Sequence, residues 1–337
     1  MSTANTTLSK TILTERVEGK AKIIEPSGDR LTVTFKDCAT AFNGGKFAEI
    51  PGKGALNAAI SAQLFSLLNT HKIATCFVEK GSEPNQLVYS PLRMIPLEVI
   101  VRNQAYGSVC KRFGFDEGHP FSQPLVEYFL KDDAANDPQI TEAMITEKRL
   151  LPDGIALNDI VRRALQINEV FHAFFTPRGI DCADFKLEFG INNKGKLVLG
   201  DELSPDNFRL RDSSTRQVLD KDVFRLELGD LIETYQQLHN RMQADTPLQF
   251  PATPPTYEAI ISVSSRKSIL NPESKAILNA LRNFGFTGIE SLRAGKQFAV
   301  TLQAPNMLAA EQELLKMADE VLSNPVIEDF SFELRYQ

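Results

Sequence analysis

Acidic and basic side chains alternate from Asp184 to Glu188, and this spacing is where the chain first offers chemistry. Asp184, Lys186 and Glu188 share one face of a period-2 segment whose other face carries Ala183, Phe185, Leu187 and Phe189, the pattern of a half-buried strand. Asn192 to Gly195 reads as a turn, and Leu197 to Glu202 as the returning strand. Pairing Ile191 with Lys196 would set Asp201 opposite Lys186 and diagonal to Glu188. Two carboxylates around one ammonium repel each other and lose hydration unless a cation or an anionic ligand completes the site. Mg²⁺ with nucleotide phosphates would complete it: Glu188 and Asp201 hold the metal, and Lys186 acts as a point charge on the phosphates. A solvated strand face with one ion pair is the competing reading. The sequel Ser204 to Arg209 favours a site, because it delivers Asp206 and Arg209 beside the same strand end.

Other stretches supply further anion-binding groups. Glu15 to Glu25 reads as a strand in which Lys20 and Lys22 share a face after Gly19, turned by Pro26 to Asp29 into a strand with Leu31, Val33 and Phe35 on one side. Such a hairpin can cover phosphates, although alternate lysines are more often what a solvated face carries. A glycine-bearing loop over Phe35 to Lys46 precedes Ile50 to Gly54, which opens a helix striped with Leu56, Ile60, Leu64 and Leu67. Lys53 at that helix start suits an anion, and a capped helix after a surface loop explains the same residues. Leu92 to Arg102 is a long apolar strand whose terminal arginine, with Ser108 six residues on, can fork a phosphate. Lys131 ends another strand beginning at Val126.

Composition removes several classes. A chain of 337 residues with net charge −6 carries no footprint for nucleic acid. The N-terminal residues 1–13 are polar, without the apolar segment of a leader, and no apolar run approaches a membrane span, so a cytoplasmic protein is expected. Cys38, Cys76, Cys110 and Cys182 are widely separated, and the four histidines show no metal-ligand spacing. Gly190 to Leu197 imitates a phosphate loop but lacks the terminal Ser or Thr that ligates Mg²⁺ and joins two strands instead of opening a helix. There is no GxSxG elbow.

Elements must position these groups. Amphipathic helices are expected over Asn158 to Pro177, with a structural His172, and over Asp220 to Met242, where Phe224, Leu228, Leu231 and Tyr235 fall on one side. Gln243 to Thr256 carries four prolines and reads as a stiff linker. The pattern then restarts with strands over 257–264, 288–293, 297–302 and 326–334 and helices over 272–284 and 306–323, a β-α-β-β-α-β order typical of a ferredoxin-like sandwich.

Several stretches resemble the phosphoribosylaminoimidazole-succinocarboxamide synthase (SAICAR synthetase) family: GKAK from Gly19, VRNQAYGSVCKR from Val101, Val126 to Asp133, and the run from Asp181 to Asp212. Arg16-Val17 departs from the apolar-aromatic pair usual there. Beyond the linker, the stretches starting at Tyr257, Leu292 and Asn324 resemble PurS, the small subunit of formylglycinamidine ribonucleotide (FGAM) synthetase. The resemblance implies an α+β chain with an ATP-grasp-like ligase domain in two subdomains over 14–242, a linker over 243–256 and a PurS-like domain over 257–337. It implies ATP and Mg²⁺ as cofactors, and L-aspartate and carboxyaminoimidazole ribotide (CAIR) as the substrates to be joined. On that reading Lys20, Lys22, Lys131, Asp184 and Lys186 attend the nucleotide, and Lys20, Lys22, Lys186 and Asp206 assist the chemistry. Glu188 and Asp201 hold the metal. Arg102, Ser108 and Arg209 hold the ribotide, and Lys53 the aspartate. Homo-oligomers are expected, with glutaminase and large synthetase subunits as partners of the second domain. A kinase on a related fold and a nucleotide-binding regulator with an effector-sensing second domain are the rivals.

Overall fold

Period-2 burial builds the first layer. Strands β1 (Val17–Glu18), β2 (Lys22–Ser27) and β3 (Arg30–Phe35) run antiparallel, and Leu31, Val33 and Phe35 are buried while the residues between them are half-buried. A bend at Gly19 to Ala21 interrupts the single strand expected over 15–25. The computed structural model describes residues 15–41, 45–266 and 268–336, so the polar stretch expected over 1–13 and part of the glycine loop, 42–44, lie outside the described residues. Strands β4 (Cys38–Ala41) and β5 (Lys46–Glu49) pair and lead to helix α1 (Lys53–Thr70). Asp37 caps that helix, accepting from the backbone N–H of Gly52 at 2.9 Å and of Gly54 at 2.7 Å. Strands β6 (Phe77–Lys80) and β7 (Gln86–Tyr89) complete a sheet of order β1-β2-β3-β7-β6, on which α1 packs.

The second sheet carries most of the charged groups. Strand β8 (Arg93–Gln104) passes through helix α2 (Ser108–Phe113) and returns as β9 (Pro120–Leu130). Helices α3 (Glu142–Glu147) and α4 (Leu157–Phe175) follow, then β10 (Ile180–Ile191), β11 (Leu197–Leu199) and β12 (Phe208–Asp212). The order is β11-β10-β8-β9, and β12 also pairs with β10. Ala183, Phe185, Leu187 and Phe189 are all buried, and Phe185 meets Phe171 of α4 at 5.2 Å and Phe208 at 5.6 Å between ring centroids. Burying each such ring contributes about 1.5–3 kcal/mol, which fixes the face on which the charges of β10 must lie.

Three expectations need correction. The β10–β11 ladder pairs Ile191 with Leu197, one residue beyond the expected partner, because the loop closes from the Asn192 N–H to the Lys196 carbonyl at 3.1 Å. Asp201 therefore does not sit opposite Lys186; its φ of 58° takes the chain out of the ladder just after Gly200 donates to the Glu188 carbonyl at 2.8 Å. The long helix expected over 220–242 is split into α5 (Asp222–Arg225) and α6 (Leu231–Met242). Glu227 and Gly229 adopt φ of 57° and 152° between them, and Asp230 caps α6 by accepting from the Glu233 N–H at 2.9 Å. Leu228 is consequently exposed, off the apolar side formed by Leu231 and Tyr235.

The chain divides into a unit ending at Gln249 and a second starting at Phe250. Residues 244–249 are fastened to the first unit: Arg178 donates to the carbonyls of Ala244 and Thr246, and the Gln249 N–H to the carbonyl of Ala173. The second unit contains β13 (Thr256–Ser265), α7 (Pro272–Asn283), β14 (Gly295–Gln303), α8 (Met307–Met317) and β15 (Glu328–Tyr336), in an antiparallel sheet of order β14-β13-β15. Its buried side chains include Tyr257, Ala259, Ile261 and Val263 of β13 and Met307, Ala310 and Leu314 of α8. The fourth strand expected over 288–293 is not formed. Ile289 and Leu292, its half-buried apolar residues, stand three apart, so they cannot share a sheet face. No helix of the described residues is long and apolar enough to cross a membrane.

Candidate active site

The first cluster is built on β8 and β10. Their register sets Glu98 directly opposite Glu188, a like-charge pair that is unfavourable by itself. Lys186 bridges it, donating to Glu98 Oε1 at 2.7 Å and to Glu188 Oε1 at 2.8 Å, and Lys131 pairs with Glu188 Oε2. From the first sheet Lys22 reaches Asp201 and lies 3.2 Å from Glu202 Oε1. Burial pulls the Lys186 ammonium down, but attraction from Glu188, Asp201 and Glu98 outweighs it and holds the group well above the ordinary lysine range. Burial likewise opposes ionisation of Asp201, and Lys22, Lys186 and Lys131 together hold its carboxyl well below the usual range. Lys22, Lys131, Lys186, Glu188 and Asp201 thus come together, whereas Lys20 is exposed in the bend between β1 and β2.

The second cluster is built on arginines. Buried Arg102 donates to Glu127 Oε2 at 2.5 Å, to Asp184 Oδ2 at 2.8 Å and to Ser108 Oγ at 3.5 Å. Arg209 donates to both oxygens of Asp184, at 3.1 and 2.9 Å, and to Asp222 at 3.2 Å. Although burial disfavours its charge, Asp184 and Asp222 hold Arg209 above the usual arginine range. Asp184, expected at the nucleotide, accepts from two guanidiniums and also lines the cleft described below. Gly107 completes the fit: a Cβ there would stand 2.6 Å from Arg209 Nη2, and its φ of 63° suits glycine.

Lys53, expected to meet a substrate, is wholly buried and donates to Asp206 Oδ2 at 2.8 Å. Its position at the start of α1 points the side chain into the protein, where Asp206 also accepts from Tyr235 Oη at 2.6 Å and Lys221 Nζ at 3.1 Å. Burial raises the Asp206 carboxyl, and Lys53, Lys221 and Tyr235 more than reverse this, holding it well below the usual range. A cleft of about 310 Å³ joins the three clusters; its walls include Glu98, Lys186, Asp184, Asp206, Arg209 and Lys221.

Glu98, Glu127, Glu202, Lys221 and Asp222 were not singled out by the sequence. Glu98 had a signal, a carboxylate inside the apolar run Leu97 to Val101; Lys221 and Asp222 were hidden within a helix expected to be continuous. Glu202 bears on cation binding, since its Oε2 is buried with no hydrogen-bond partner among the described residues. Mg²⁺ takes oxygen ligands, often one or two carboxylates plus substrate phosphates, and the donor set of Glu188, Asp201 and Glu202 fits that requirement. Among the described residues no three His, Cys, Asp or Glu side chains form a ready-made cage, so nucleotide oxygens would have to complete the shell.

Comparison with known proteins gives the same region a family. The model of SAICAR synthetase matches residues 15–242, and that of PurS, described as phosphoribosylformylglycinamidine (FGAM) synthase, matches residues 258–336. Phosphoribosylaminoimidazole-succinocarboxamide synthase of Thermococcus kodakarensis is 45% identical over 234 residues, covering 69% of this chain and 98% of its own. The protein of that name from an Exiguobacterium species is 48% identical over 229 residues, 67% of this chain and 96% of its own. Among solved structures, a SAICAR synthetase in complex with ADP superposes with a TM-score of 0.65 at 42% identity, covering 70% of this chain and all of that one. The enzyme from Ehrlichia chaffeensis gives 0.65 at 38% identity, over 68% of this chain and 98% of its own. A match that takes in both charged sheets and the cleft between their clusters leaves one conclusion: this chain belongs to the SAICAR synthetase family.

Proposed function

We propose that the chain is an ATP-dependent carboxylate–amine ligase that joins L-aspartate to carboxyaminoimidazole ribotide, yielding SAICAR, ADP and phosphate. One observation carries this reading: a single cleft brings the ammonium–carboxylate cluster, through Glu98 and Lys186, up against the arginine cluster, through Asp184 and Arg209. A site that activates a carboxylate with ATP needs both halves within reach of one reacting group. The ATP-grasp-like arrangement, with the first sheet over nucleotide and the second sheet with its helices holding Mg²⁺ and the ribotide, belongs to the same reading. So do the ligase boundaries at 14–242 and a cytoplasmic location.

The residues divide the work. Lys22, Lys131 and Lys186 meet the phosphates, and Lys20 closes over them from the bend before β2. Arg102, Ser108 and Arg209 orient the ribotide by its phosphate and carboxylate, with Asp184 and Asp222 fixing the guanidinium planes. Glu188 and Asp201, with Glu202, would hold Mg²⁺, which when bound neutralises phosphate charge. The γ-phosphoryl group passes to the ribotide carboxylate, the aspartate amine attacks the acyl carbon, and phosphate leaves with the bonding electrons. Lys186 and Lys22 stabilise the charge that develops during transfer. The test is product analysis with the full chain: one SAICAR and one ADP per phosphate released, identified by mass, is expected. A phosphorylated ribotide that persists with aspartate present would instead identify a kinase.

For residues 257–337 we propose a non-catalytic assembly module, a three-stranded variant of the ferredoxin-like sandwich. Leu270, Phe284, Val321 and Val326 are exposed on it, apolar surface of the kind that marks a protein interface. Glutaminase and large subunits of FGAM synthetase, and a second copy of the chain, are its proposed partners.

A further inference from the structure

Two ammonium groups converge on one carboxylate oxygen: Lys53 Nζ lies 2.8 Å and Lys221 Nζ 3.1 Å from Asp206 Oδ2. The Tyr235 hydroxyl donates to the other oxygen at 2.6 Å, so the carboxylate serves three donors. Lys53 is 0% and Lys221 8% exposed. The carboxylates beside Lys221 in sequence are committed elsewhere, Asp220 to Arg211, and Asp222 to Arg209, Arg211 and Arg225. One negative charge therefore balances two buried positive ones, and surplus charge away from water is unfavourable until an anion meets it. Lys221 borders the cleft of about 310 Å³, together with Lys186, Arg209 and Arg225, whereas Lys53 sits behind Asp206 and is not part of its walls.

We propose that Lys221 is a substrate-binding residue whose ammonium takes an anionic oxygen, carboxylate or phosphate, of an organic substrate in this cleft. The inference rests on the ligase reading and adds to it a residue that inherits the role expected of Lys53. Asp206 is then a positioning residue: it anchors Lys221, and Lys53 and Tyr235 anchor Asp206 from behind. A compact ammonium suits a single oxygen, while the neighbouring arginines offer forks to two. Both aspartate and the ribotide carry such oxygens, and the test separates them.

The experiment compares wild type, Lys221→Met and Lys221→Arg in the full chain, measuring KM for aspartate, ribotide and ATP in turn with the others saturating, alongside Tm. The methionine variant is expected to raise KM for aspartate, for ribotide or for both roughly 10- to 100-fold, the loss of one charge-assisted hydrogen bond, and to leave KM for ATP unchanged. Partial rescue by Lys221→Arg is expected, since charge is retained. A rise confined to aspartate assigns the oxygen to its carboxylates; a rise confined to ribotide assigns it there. Unchanged KM for both, or equal rises for all three substrates, would overturn the proposal. If Lys221→Met does not fold, Lys221→Gln, which keeps a donor toward Asp206, carries the same comparison. Absence of product from wild type would instead sink the ligase reading, so the two failures are distinct.

Discussion

At the scale of single residues, the partner each charge already has distinguishes groups open to a ligand from groups that hold a neighbour. Asp201 and Glu188 sit among Lys22, Lys131 and Lys186, so removing either carboxylate leaves ammonium charge without balance and, on the proposed function, removes a ligand of the metal. Asp201→Asn is expected to lower turnover by about 10²-fold or more while the protein, with a lowered Tm, stays folded at assay temperature. Steady-state rates at saturating Mg²⁺ and a thermal melt check this, and near-normal turnover would remove the assigned role. Gly107→Ala forces a Cβ to 2.6 Å from Nη2 of Arg209, whose guanidinium Asp184 and Asp222 hold in place through Nη1 and Nε. It is expected to cost roughly 1–3 kcal/mol of stability and to weaken ribotide binding while sparing ATP binding. Isothermal titration with each ligand separates the two effects. Much of this level was legible in the sequence: the alternation from Asp184 to Glu188 named the charged face of β10, and the arginine with Ser108 named the second cluster. Lys53 and Asp184 have partners within the protein that the sequence did not show, because residue type reveals that a charge needs a partner without revealing which residue supplies it.

At the scale of elements, the breaks matter as much as the strands. The turn at Glu227 and Gly229 ends α5 early, and Lys221 and Arg225, at the two ends of that short helix, line the cleft. Periodicity could not reveal it, since Phe224, Leu228, Leu231 and Tyr235 satisfy helical spacing even though the chain between them is not helical. The one-residue register difference in β10–β11 has the same origin: turn geometry, not strand pattern, sets the offset. Asp206, gripped by Lys53, Lys221 and Tyr235, ties α1, the β11–β12 connection and α6 together. Its carboxyl is held below the usual range, so its stabilisation is complete above about pH 4, the ordinary aspartate value, and is lost as pH falls below it. Asp206→Asn should cost about 3–5 kcal/mol at neutral pH and give a flatter loss of Tm between about pH 4 and 2 than wild type. Parallel curves for the two proteins would contradict the assignment.

At the scale of the molecule, the division at Gln249 predicts separable functions. A chain ending at Gln249 is expected to keep ligase activity, because residues 244–249 are already fastened to the first unit by Arg178 and the Ala173 carbonyl. A chain ending at Met242 should lose stability along with those hydrogen bonds, and melting the two side by side checks it. Residues 250–337 alone should fold, since Tyr257, Ile261, Met307 and Leu314 form a buried set of their own, and should self-associate through the exposed apolar residues. Analytical ultracentrifugation reads that out. The restart of pattern after the proline-rich stretch was legible in the sequence, but the strand count was not, since Ile289 and Leu292 fit a strand only if spacing is ignored. The most direct test of the ligase account is ADP release by the full chain with each substrate omitted in turn. ADP release over many turnovers is predicted only when both aspartate and carboxylated ribotide are present; an equal steady-state rate with ribotide alone would contradict the account.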